Sequence, residues 1–181
     1  MLEVTATQLF IFITVIWIIV RVIVNFKSKK FSWKEELKML LVYVCIVVIS
    51  RFVYFGFHLV NGRLSTLKIG LPDNAGDMVS LRPFFFLVDR YRGWQMNIIG
   101  NIAMFIPVGI VWPICFKKLN TFWKTVLAGF GYTLFIELTQ LFCIQRHSDV
   151  DDLVLNTAGA VIGAAIVFAI IKIRKKKQTR N

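Results

Sequence analysis

The sequence predicts an all-α membrane protein, a bundle of about five transmembrane helices with the N-terminus outside and the C-terminus cytoplasmic. Three observations carry that expectation. Hydrophobic residues make up 57% of the 181-residue chain, and the mean hydropathy is +0.67. Soluble domains reach only about 45–50% apolar content even with glycine counted. The apolar residues fall into five runs, each close to the ~20 residues that a bilayer span requires. Short basic clusters separate these runs, which is how topology is specified in membranes.

The first run, residues 5–26, has no basic segment ahead of it and no small-residue cleavage site before Arg21. It is therefore read as a retained helix rather than a cleaved signal. Lys27, Lys29, Lys30, Lys34 and Lys38 lead into the second run, residues 39–60. The third, residues 96–116, contains Pro107 and Pro113, which membrane helices tolerate. Lys117, Lys118 and Lys124 border the fourth, residues 122–143. The fifth, residues 152–171, is rich in alanine and glycine, and its Gly159-x-x-x-Gly163 spacing suits close helix packing. Lys172, Arg174, Lys175, Lys176, Lys177 and Arg180 follow it.

With an odd number of spans, all three clusters lie on one side and hold fourteen Lys and Arg. The other side holds six: Arg63, Lys68, Arg82, Arg90, Arg92 and Arg146. The positive-inside rule then makes the clustered side cytoplasmic. The net charge of +12 is thereby a topology signal. Nucleic acid is not an expected partner, because the cations form no continuous basic face. Cys45, Cys115 and Cys143 lie in or beside apolar runs and read as small buried hydrophobes. They show no metal-ligand spacing, and no cofactor is expected.

One long segment, residues 61–95, connects the second and third spans on the outer side. It holds Phe84, Phe85 and Phe86, then Tyr91 and Trp94. Two readings stand: a segment lying at or re-entering the bilayer edge, or an aromatic belt at the headgroups.

Polar groups inside a membrane are costly and face the bundle interior. Asn97 and Asn101 share one face of the third span, Glu137 and Gln140 one face of the fourth, and Asp152 and Asn156 one face of the fifth. Arg51 lies on the second. At about 1.5 Å per residue, Asn101 sits roughly 7 Å and Glu137 roughly 9 Å below the outer end of its span. Arg51, roughly 13 Å down, has a side chain long enough to reach outward. The third span runs inward and the fourth outward, so polar residues near the start of one and the end of the other belong to one outer-leaflet site.

Arg146 and the acidic run Asp149, Asp151 and Asp152 stand above that site. Ser148 or Asp149 is a good helix N-cap, and carboxylates favour a helix N-terminus. Capping does not account for Glu137 or Arg51. Those residues form either a structural ionic network or part of a ligand site.

At these residues the chain resembles the VanZ-like family of bacterial membrane proteins. The third span reads NIIGNIAMFIPVGI, similar to a family pattern of Asn, then Gly-Asn, then Phe-x-Pro-x-Gly. The stretch ELTQLFCIQRHSDVDDLVLNTAGAVIG matches a second block at Glu137, Gln140, Arg146, Asp149, Asp152, Asn156, Gly159 and Gly163. Arg82-Pro83-Phe84 is similar to an element that precedes the third span in many members. The resemblance implies a multi-pass protein of the bacterial plasma membrane with a cell-envelope role. Its namesake is associated with low-level resistance to the lipoglycopeptide teicoplanin. The resemblance brings no established reaction. It divides the chain into an N-terminal helix and basic loop (1–36), a VanZ-like membrane domain of four helices (37–171) and a basic cytoplasmic tail (172–181).

The leading functional expectation is binding of an amphiphile at the outer-leaflet site. The ligand-binding candidates are Arg51, Arg82, Asn97, Asn101, Glu137, Gln140, Arg146, Asp149, Asp152 and Asn156. Membrane lipids, a lipoglycopeptide or a lipid-linked wall precursor are the partners of suitable shape. An intramembrane enzyme is the alternative, with Glu137 as acid or base, or with Asp149, Asp151 and Asp152 around a divalent ion at a lipid head. Catalytic candidates are then Glu137, Asp149 and Asp152. A small transporter is a third reading; no internal repeat is visible, and oligomerisation would have to supply further helices.

Overall fold

The computed structural model describes residues 1–29, 31–56, 65–70, 79–80, 93–144, 146 and 148–179. Five helices dominate them: α1 (Ala6–Ser28), α2 (Trp33–Phe55), α3 (Trp94–Cys115), α4 (Phe122–Gln140) and α5 (Val150–Gln178). All except α4 are long and apolar enough to cross a membrane. The fourth helix is shorter, 19 residues, and less apolar because it carries Glu137, Gln140 and several threonines. Large apolar side chains face outward all along the bundle, among them Ile11, Phe12, Leu41, Leu127 and Ile162. Such a surface suits lipid rather than water.

Helix boundaries depart from the apolar runs for physical reasons. α2 begins at Trp33, ahead of the apolar run, because Glu35 and Glu36 favour its first turn. It ends at Phe55, where Gly56 has φ +70° and ψ −175°, a conformation open essentially to glycine alone. Arg51 therefore lies one turn from the helix end rather than deep in the span. α5 continues through the basic tail to Gln178, since lysine and arginine are good helix formers and complement a helix C-terminus.

The core is built on small residues. α3 and α5 approach until a Cβ at Gly159 would overlap the Ile102 carbonyl oxygen, and one at Gly163 that of Ile106. Gly109 on α3 reciprocates against the Ala160 carbonyl. Phe105, Val108, Ile49 and Ile136 fill the space between α2, α3 and α4. α1 is peripheral, held to α2 by Trp17 against Tyr43, by Thr14 Oγ1 2.7 Å from Tyr43 Oη, and by Arg21 paired with Glu36 at 2.6 Å.

Two short pairings, invisible to hydropathy, close the cavity end of the bundle. β1 (Leu2–Val4) runs antiparallel to β2 (Leu67–Ile69), and Ile69 bridges to Cys143 beyond α4. β3 (Val79–Ser80) pairs in parallel with β4 (Ser148–Asp149). The aromatic stretch at 84–86 and Arg82, Arg90 and Arg92 lie outside the described residues.

Candidate functional site

The ends of four helices meet around one cavity of about 280 Å³. The end of α2 supplies Phe52, Val53 and Gly56, and the start of α3 supplies Asn97, Asn101 and Met104. Glu137 and Gln140 come from the end of α4, Arg146 and Asp149 from the connection that follows, and Asp152 and Asn156 from the first turns of α5. Eight of the ten ligand-binding candidates read from the sequence are thus brought together. Arg51 is not among the lining residues: its Nη1 donates to the Gly56 carbonyl at 2.5 Å, and its guanidinium lies over the Phe52 ring. It satisfies an orphan carbonyl beyond the helix end. Arg82 lies outside the described residues.

Each carboxylate is met by donors. Glu137 is 5% exposed, and its Oε2 accepts from the Ser148 hydroxyl at 3.2 Å and the Asp149 backbone N–H at 3.1 Å. Asp149 is the N-cap of α5, accepting from the Asp151 N–H at 2.9 Å. Asp152 accepts from the Asn101 amide, and Asn101 also donates to Asn97 Oδ1 at 3.3 Å. Among the described residues no group of three His, Cys, Asp or Glu side chains is arranged to hold a metal ion.

Arg146 is anchored through Nε, which donates to the Tyr54 carbonyl at 3.1 Å, and its terminal nitrogens pack over Gly56. Burial lowers its proton affinity from the ordinary arginine value, yet a guanidinium stays charged. Its terminal N–H groups have no hydrogen-bond acceptor and no ion-pair partner among the described residues.

Two amides are half satisfied. Gln140 Nε2 donates to the Val53 carbonyl at 3.3 Å, and Asn156 Nδ2 to Thr133 Oγ1 at 2.9 Å. Gln140 Oε1 and Asn156 Oδ1 are buried without a donor among the described residues. Such orphaned acceptors cost about 1–3 kcal/mol each, so the cavity is built to receive donors. Sequence reasoning missed Ser148 as the partner of Glu137, and Thr133 and Tyr54 as supports. Thr133 stands one turn before Glu137 on the same face, a signal that was legible; the Tyr54 carbonyl left none.

A family model described as VanZ/LLP1 matches residues 10–172. Comparison with curated proteins and with solved structures finds no match.

Proposed function

The chain belongs to the VanZ/LLP1 family, and on that premise we propose that it is a cell-envelope protein of the bacterial plasma membrane that binds the polar head of an amphiphile in this cavity. The observation that carries the reading is the unmet acceptor capacity of Gln140 and Asn156, with Arg146 beside them, around one cavity within an apolar bundle. The basic clusters, taken as cytoplasmic, put the cavity in the outer leaflet. A lipid, a lipid-linked wall precursor and a lipoglycopeptide all pair a polar head with an apolar chain. A contribution to teicoplanin resistance is the cellular effect such binding would have. Binding of teicoplanin and of a lipid-linked wall precursor to the purified protein tests the reading. Arg146→Ala and Glu137→Gln should each weaken it by about tenfold. Undiminished affinity in both folded variants overturns the proposal.

One observation favours an enzyme as the second reading. The Ser148 hydroxyl donates to Glu137, the arrangement by which a carboxylate activates a hydroxyl or passes a proton. Turnover of a lipid head group that is lost in both Ser148→Ala and Glu137→Gln would support it.

A further inference from the structure

An apolar groove of about 400 Å³ runs between α2 and α3 and opens to the lipid face. Its floor on α3 is Gly100, Ala103 and Pro107, at i, i+3 and i+7, so small residues line one face. Val44, Val48 and Phe52 form the facing row on α2, spanning about 12 Å along the axis. The small residues leave a trough that the α2 side chains do not fill. Phe52 and Met104 line both this groove and the polar cavity, so the two adjoin at those side chains. A larger apolar groove of about 480 Å³ between α1, α2 and α4 shares no lining residue with the cavity.

We propose that the occupant is a zwitterionic aminolipid of the surrounding bilayer, its acyl chain in the α2–α3 groove, its primary ammonium at Glu137, Gln140, Asp152 and Asn156, and its anionic group on Arg146. This rests on reading the cavity as a head-group site and adds the class of head and the path of the tail. The orphaned oxygens of Gln140 and Asn156 require N–H or O–H donors, and an ammonium supplies three. The carboxyl oxygens of Glu137 and Asp152 make that end of the cavity acceptor-rich. The terminal N–H groups of Arg146, which meet no acceptor among the described residues, match a phosphate or carboxylate oxygen. The cavity volume fits a head group and lies below the roughly 300–1,000 Å³ of sites that enclose a drug-sized ligand. The apolar part therefore lies outside the cavity, where the groove begins.

Native mass spectrometry and calorimetry on the full chain in non-ionic detergent test this, with lysophosphatidylethanolamine, lysophosphatidylcholine and lysophosphatidylglycerol of one acyl chain. The ethanolamine lipid should bind about tenfold more tightly than the other two. A quaternary ammonium has no N–H to donate, and a glycerol head has no positive charge. Glu137→Gln should remove most of that preference. Ala103→Trp and Val48→Trp, both at exposed positions, should block the tail and weaken the ethanolamine lipid about tenfold. They should leave chain-free glycerophosphoethanolamine unaffected. Ile16→Trp, in the other groove, should change nothing. Equal binding of all three lipids overturns the ammonium assignment while leaving an amphiphile site standing. Preference for ethanolamine that survives both groove variants overturns the tail path. Binding of no amphiphile at all, teicoplanin and wall precursor included, overturns the head-group reading as well.

Discussion

The Asn101 amide donates to the Asp152 carboxylate and so ties the first turns of α3 to those of α5 beside the cavity. Removing that donor leaves the half-buried carboxylate with Asn97 as its remaining side-chain donor. Asn101→Leu is expected to lower stability by about 1–3 kcal/mol, read as a fall in Tm in detergent. Adding Asp152→Asn to that variant should recover part of the loss, because the group left behind is then neutral.

The α3–α5 contact depends on the absence of side chains at Gly159 and Gly163. Gly163→Val should cost about 1–3 kcal/mol or more through overpacking against the Ile106 carbonyl. Gly131→Ala is the control: its Cβ meets nothing within 4 Å, and the gain in helix propensity should be neutral or stabilising by up to about 1 kcal/mol. Thermal unfolding of both variants separates packing from propensity.

Gly56 holds φ +70° while the Arg146 guanidinium packs over it; a Cβ there would stand 3.2 Å from Arg146 Nη2. Gly56→Ala should cost about 1–3 kcal/mol in backbone strain and should also displace Arg146. Amphiphile affinity should then fall together with Tm. Normal affinity in this variant would show that Arg146 does not depend on Gly56 for its position.

At the opposite end, Arg21 Nη2 and Nε both reach Glu36, at 2.6 and 3.0 Å, and Asn25 adds a third bond at 2.8 Å. The two side chains are 18% and 20% exposed and line a groove with Trp17, Ile18 and Leu40. Glu36→Ala should destabilise the α1–α2 contact by about 1–3 kcal/mol. Arg21→Leu combined with Glu36→Leu should cost less than either single change, since no charge is left unpaired. A double-mutant cycle on Tm measures the coupling.

Orientation is testable with cysteines placed at the two ends of a chain whose three native cysteines have been replaced. Leu2→Cys should react with a membrane-impermeant maleimide added to intact cells, and Thr179→Cys only after lysis. The reverse pattern would put the cavity in the cytoplasmic leaflet and remove extracellular antibiotics from its ligands.

Much of the polar set was legible because a membrane makes polarity conspicuous. Asn101, Glu137 and Asn156 stand out in apolar runs, and the 1.5 Å rise of a helix gives each a depth. Arg51 was placed too deep, since hydropathy carries the second run past the glycine that ends α2. The pairing of residues 2–4 with 67–69, and the bond from Ser148 to Glu137, join parts of the chain through contacts that no local pattern records.

The sequence by itself therefore determined the helical membrane class, the five segments and the residues that must avoid lipid, because burial of apolar length and segregation of charge are properties of the chain taken locally. Tertiary structure alone decided which polar groups satisfy one another. It gave Asp149 to the helix cap and Arg51 to the Gly56 carbonyl, and among the described residues it left Gln140 Oε1, Asn156 Oδ1 and the outer edge of Arg146 with unmet capacity. Hydrogen bonds act over a few ångströms and are directional, so that division of labour exists only once the helices are packed.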